Sequence, residues 1–167
     1  MLLEIIKLPN KNLRLKAREV QPKELQSEDM QKFIIDLIQT MREKDGIGLA
    51  STQVDKQLQI FVIATEDGAK VFVNPKIISK SWLKVEDEEG CLSVPEVFGI
   101  VKRSKRLLIK ALDRNGDSFT LRAKGLLARV IQHENDHLNG VLFIDKVKKI
   151  TSGEEILANL YKLQKSN

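Results

Sequence analysis

The segment Gln132-His133-Glu134-Asn135-Asp136-His137 constrains this chain more than any other. Both histidines of the 167 residues fall in it, four positions apart. On a helix that spacing turns the two imidazoles about 40° apart on one face, where they can share one metal ion. Glu134 then lies about 60° from His137 and about 100° from His133, so it reaches a water on that ion without being a ligand. Two neutral imidazoles supply half of a tetrahedral shell. The rest of the chain has to supply a third ligand.

Composition sets the frame for that search. An apolar fraction of 42% and a charged fraction of 31% describe an ordinary globular chain, long enough for one domain over 1–167 with a real core. One cysteine, Cys91, excludes an intrachain disulfide and suits a reducing, cytoplasmic compartment. The start, Met1 to Lys11, lacks the basic-then-apolar order of a signal peptide, and no stretch has the 18 apolar residues of a membrane span. The net charge of +5 gives solubility and a mild attraction to polyanions such as RNA. No interleaving of aromatic and basic residues supports direct nucleic-acid binding, and no specific DNA binding is expected, since Trp82 and Tyr161 stand alone among six phenylalanines.

Taken in order, residues 2–6 form an apolar run that predicts a short strand, and 13–24 are irregular, broken by Pro22. Ser27 caps a helix whose inner stripe is Met30, Phe33, Ile34, Leu37, Ile38 and Met41. The stretch Gly46-Ile47-Gly48-Leu49-Ala50-Ser51-Thr52-Gln53 lacks the Gly-Lys-Ser/Thr of a phosphate loop. Its glycines instead suit an extended segment that something approaches closely. Short strands are expected at 59–63, 70–72, 76–78, 99–101, 106–112 and 118–123, with a hairpin turn at Asp113-Arg114-Asn115-Gly116. The acidic stretch 86–95 is too polar for a core strand. A helix over 125–138 carries the histidines, 141–144 suits a short strand, and a last helix runs from Ser152-Gly153-Glu154-Glu155 to about Lys165. The class is α+β: short, mostly antiparallel strands around a central metal-binding helix, with a helix towards each end.

The third ligand separates the functional readings. Common metalloproteases draw it from downstream, where only Glu154 and Glu155 offer themselves. Upstream stands Cys91, which on its own is as well read as a small buried hydrophobe. Gly90 before it permits a tight turn and Pro95 after it stiffens the loop. Such a loop would complete a Cys-His-His site with one open position, the mark of a catalytic centre. Glu134 would take a proton from a water there and pass it to a leaving amine. Asp136 points away from the ligand pair and suits a salt bridge to Arg103 or Arg129. A zinc aminopeptidase of another fold and a catalytically inactive binding module are the alternatives. The first needs a downstream ligand, and the second should have lost Gln53, Cys91 or Glu134.

Three separated motifs, Gly46–Gln53, Glu89-Gly90-Cys91-Leu92-Ser93 and Gln132–His137, together resemble the peptide deformylases. The match extends over about residues 3–163, and the combination is far more specific than any one motif. The resemblance implies hydrolysis of the N-formyl group from the formyl-methionine that begins nascent polypeptides. It places a divalent metal on Cys91, His133 and His137: Fe2+ in the cell, with Zn2+, Ni2+ or Co2+ found after isolation. It makes Glu134 the general acid/base and gives the oxyanion to the Gln53 side-chain amide and the Leu92 backbone N–H. Gly46, Ile47 and Gly48 would hold the peptide extended, and Ile47 and Leu126 would wall the methionine pocket. Ser51 departs from the alanine more usual in the family, a change expected to be tolerated. Some bacterial relatives use a C-terminal helix for transient ribosome association, which the basic tail 162–167 permits.

Overall fold

A computed structural model describes residues 1–165; Ser166 and Asn167, the end of the basic tail, lie outside them. In chain order the elements are α1 (Pro22–Leu25), α2 (Glu28–Glu43), β1 (Gly48–Ala50), β2 (Ile60–Thr65) and β3 (Gly68–Lys80). Then follow β4 (Lys84–Cys91), β5 (Val94–Ser104), β6 (Arg106–Leu112), β7 (Ser118–Lys124), α3 (Gly125–His137), β8 (Val147–Ser152) and α4 (Glu154–Lys165). The strands make two antiparallel sheets, one of order β1-β2-β3-β6-β7 and one of order β4-β5-β8.

α2 forms where the capping serine and periodic stripe predict it. The Ser27 hydroxyl accepts from the Met30 N–H, and Glu28 and Asp29 face the positive end of the helix. Met30, Ile34, Leu37 and Met41 are buried against β1, β2 and β3 residues such as Leu49, Val62 and Val71. Each such side chain contributes about 1.5–3 kcal/mol through burial.

α3 lies between the two sheets, touching β1, β2, β6 and β7 of one and β5 of the other. A helix enclosed on several sides buries polar residues along with apolar ones. Ala128 and Ile131 join the core, while Arg129, Gln132, Glu134 and His137 are also buried. Gln132 is satisfied by the end of β5: its Oε1 accepts from Ser104 N–H and its Nε2 donates to the Ser104 carbonyl.

Five local expectations change. Residues 2–6 are extended but belong to no sheet; Ile6 N–H donates to the Gln53 carbonyl and Leu8 N–H to that of Ser93. The two strands expected at 70–72 and 76–78 are one, β3, because Asn74 takes φ 49° and is absorbed as a bulge. The acidic segment forms β4, an edge strand whose charges face solvent except that of buried Glu89. At 141–144 a 3-10 turn, Phe143–Asp145, replaces the expected strand, and pairing resumes only in β8. Pro22, read as a breaker, opens α1 at its first position, where its missing N–H costs nothing.

Candidate metal centre

β4 ends on Cys91 as the chain turns into β5, and α3 presents His133 and His137 to it. Cys91 Sγ stands 3.3 Å from His137 Nε2, which is 3.2 Å from His133 Nε2. An ion held tetrahedrally at ordinary Zn–N and Zn–S lengths spaces its ligand atoms about 3.3–3.6 Å apart. The three donors therefore fit one divalent ion, and they form a metal-compatible group among the described residues. Glu154 and Glu155, the downstream alternatives, are exposed on α4 and outside that group.

The orientation of His133 comes from Glu89. Its Oε2 lies 2.9 Å from His133 Nδ1, which leaves Nε2 turned towards Cys91 and His137. This is the carboxylate–histidine–metal arrangement that fixes a ligand's tautomer. The carboxylate is itself buried and held by two arginines. Arg103 donates to both its oxygens at 2.8 Å, and Arg129 donates to Oε1 at 2.7 Å. Burial alone would raise the Glu89 carboxyl, but the hydrogen bonds from Arg103 and His133 outweigh it and hold it well below the usual carboxylate range. Arg103 also pairs with Asp136 at 2.5 Å, as the helix geometry predicts, and Lys146 completes that pair. Arg129 reaches Glu89 rather than Asp136. Glu89 sits inside the second motif, yet sequence reading gives it no role; the signal was its place two residues before the candidate thiol.

Glu134 is buried, and its Oε2 has no hydrogen-bond partner. Burial, against the lowering effect of His133 and Arg103, raises its carboxyl to about 7. Such a group suits proton exchange near neutral pH. Gly48 of β1 makes the room: a Cβ there would stand 2.5 Å from Glu134 Oε1. Gln53 follows β1 in a 3-10 turn, where its Oε1 accepts from Ala50 N–H and fixes the amide. Its Nε2 lies 3.4 Å from Cys91 Sγ and 3.2 Å from Ser93 Oγ. Ser51 is buried, and its hydroxyl donates to the Leu58 carbonyl at 2.5 Å.

These groups line a cleft of about 1090 Å³ between the edge strand β1 and the turn from β4 to β5. Gly46, Ile47 and Gly48 form one wall; Leu92 lies opposite, and Leu126 lines it from the start of α3. The extended segment 2–7 and Phe98 line it too, which the sequence did not indicate. Every residue placed in the site from sequence is thus brought to one cleft except His137, which lies behind it, buried beneath His133 and Cys91.

Three soft and nitrogen donors, a buried carboxylate and an open cleft define a metal-dependent hydrolase. The polypeptide deformylase family model matches residues 2–152, and the chain belongs to that family. It is 49% identical over 142 residues to peptide deformylase 1 of Clostridium perfringens, a match covering 81% of this chain and 96% of that one. The crystal structure of peptide deformylase from Thermotoga maritima superposes with a TM-score of 0.85 at 37% identity, covering 89% of this chain and 99% of that one. A Met-ala-ser-bound class I type b peptide deformylase from Acinetobacter baumannii gives 0.84 at 34% identity, covering 88% and 99%. The activity is metal-dependent hydrolysis of the N-formyl group from peptides that begin with formyl-methionine. Among the described residues no helix is long and apolar enough to cross a membrane.

Proposed function

We propose that residues 1–167 act as one catalytic unit in the cytoplasm, deformylating nascent chains at the centre formed by Cys91, His133 and His137. The ion is Fe2+ in the cell, as the resemblance to the family implies and as one thiolate among two imidazoles allows alongside zinc; Zn2+, Ni2+ or Co2+ would replace it on isolation. When bound, the ion acidifies a water and polarises the formyl carbonyl. Glu134 takes that water's proton and delivers it to the departing amine. Gln53 Nε2 and the Leu92 N–H donate to the oxygen that gains charge in the tetrahedral state, an effect worth about 3–4 kcal/mol per donor. Gly46, Ile47 and Gly48 hold the peptide extended along the open edge of β1, so the grip is on main chain and not on sequence.

Ile47 and Leu126, half-exposed at the cleft, wall the seat for the methionine side chain. The Met-ala-ser bound by the Acinetobacter baumannii enzyme supports a peptide of that kind in this cleft. α4 and the tail after it provide for transient ribosome association.

The observation that carries the mechanism is the unpartnered Oε2 of buried Glu134 beside the donor group. A carboxylate left unpaired there costs about 1–3 kcal/mol, which fits an oxygen kept free for the reacting proton. Formate release from a formyl-methionyl peptide by anaerobically prepared iron enzyme tests it against Glu134→Gln. The variant should keep its metal and lose activity by about 10²–10⁴-fold. Equal activity at equal metal content would sink the proposal.

A further inference from the structure

Trp82, the chain's single tryptophan, is 91% exposed. It sits at the corner where β3 passes into β4. Sequence alone shows only Lys80 and Lys84 beside it, but the fold brings two more corners against this one. Ser81 N–H donates to the Arg106 carbonyl at 2.9 Å, and Lys105 N–H donates to the Leu83 carbonyl at 2.9 Å. Gly125 N–H donates in turn to the Lys105 carbonyl, and Arg106 pairs with Lys124 across β6 and β7. Trp82 therefore stands among Lys80, Lys84, Lys105, Arg106 and Lys124, all exposed. None of the five forms an ion pair among the described residues, whereas Arg14, Arg18 and Lys148 elsewhere on the surface do.

The charge is one-sided at the level of the chain as well. The three segments that meet here, 76–85, 102–112 and 118–130, contain no Asp or Glu, although the protein has 23. The carboxylate electrostatically closest to Lys80 is Asp136, which Arg103 and Lys146 already neutralise. A solvated face needs no such segregation, and it does not need a large aromatic held clear of the surface. The backbone bonds at Ser81, Leu83, Lys105 and Arg106 fix the corner, so the indole and the cations are presented without an ordering cost on binding.

We propose that this corner is a docking surface for single-stranded RNA, with Trp82 stacking on an unpaired base and the five cations meeting the flanking phosphates. A flat π face ringed by cations is the arrangement that binds unpaired strands without reading sequence. An anionic membrane would want a continuous apolar face around the tryptophan, whereas the exposed Ile78, Leu83 and Val85 near it are interleaved with Lys80 and Lys84. The corner adjoins the cleft through Gly125, next to the cleft-lining Leu126, and uses no residue of α4. RNA held here would lie beside a nascent peptide entering the site.

Fluorescence anisotropy of a labelled 12-nucleotide mixed-sequence RNA, with the metal-loaded full chain, tests this. Binding should fall in the range of about 1–100 µM at 0.1 M salt and weaken steeply as salt rises. Trp82→Ala should weaken it about tenfold or more, and Lys105→Glu with Arg106→Glu should abolish it at that salt. Both variants should deformylate a formyl-methionyl peptide at the wild-type rate, which shows that they fold. The control Lys23→Glu with Lys32→Glu makes the same change of net charge on α1 and α2 and should bind within about threefold of wild type. No binding by wild type, or equal losses in the control and the corner variants, would overturn the proposal. So would Trp82-dependent binding to phosphatidylglycerol vesicles with RNA binding unmoved by Trp82→Ala, or Trp82-dependent self-association without RNA binding.

Discussion

Glu134 fits beside the donor group only because residue 48 has no side chain. Gly48→Ala would place a Cβ 2.5 Å from Glu134 Oε1, closer than real contacts allow, so either the carboxylate turns or β1 shifts. A displacement of about 1 Å at a reacting group costs on the order of 10² in rate. We expect kcat to fall by roughly that factor in Gly48→Ala, with metal content and Tm near wild type; an unchanged kcat would show that Glu134 has slack. Glu89 works at the same scale but on stability and metal together. Glu89→Gln keeps its shape and removes the charge that Arg103, Arg129 and His133 share. Breaking such a buried pair costs about 3–5 kcal/mol, and losing the partner of a ligating histidine costs about 10–100-fold in metal affinity. Thermal unfolding and a metal-competition titration measure the two effects, and an unchanged affinity would remove Glu89 from the centre. The donors themselves were legible in the sequence, because histidine spacing and a lone thiol carry their chemistry openly. Glu89 was not, since its one signal, a place two residues before the thiol, does not show that it is buried while its neighbours Asp87 and Glu88 are exposed.

At the scale of elements, legibility followed the strength of the local signal. α2 and α3 have caps, glycine or a long period, and both fall where expected; so does β6, whose alternation of Leu107, Ile109 and Ala111 is all buried on one face. Residues 2–6 misled because an apolar run records packing and not pairing: Leu3 and Ile5 pack partly buried against the core of α2 and the large sheet. The segment lines the cleft, with Ile6 N–H bonded to the Gln53 carbonyl and Leu8 N–H, just after it, to that of Ser93. β4 misled in the other direction, since it pairs with β5 along Lys84–Gly90 while its acidic side chains other than Glu89 are exposed. The docking of α4 depends on Gly153, at φ 79°, where a Cβ would meet the Glu96 carbonyl oxygen at 2.3 Å. Left-handed backbone costs a non-glycine residue about 1–2 kcal/mol before that clash is counted. Gly153→Ala should therefore loosen α4, seen as faster amide exchange around Leu157, while metal binding at Cys91, His133 and His137 persists. Exchange unchanged at Leu157 would mean that α4 docks without this turn.

For the whole molecule, the donors add a further tie between parts already joined by the Glu89–Arg129, Arg103–Asp136 and Gln132–Ser104 contacts: Cys91 belongs to the three-stranded sheet, and both histidines to the helix between the sheets. An ion present at a thousand times its Kd stabilises the native state by about 4 kcal/mol. Chelation should thus lower Tm by roughly 8–16 °C in a chain of this size, and Cys91→Ser should erase most of that difference. A Tm indifferent to chelator would mean the two sheets hold their positions without the ion. The sheet arrangement has one more consequence, which concerns solubility. β1 forms an edge of the five-stranded sheet, and an open edge can recruit a strand from another molecule and start an aggregate. β1 is three residues long and lies in the cleft wall with Gly46 and Ile47 before it. An edge that short, sunk in a groove, accepts the end of one thin chain and is too brief and too recessed to template a second sheet.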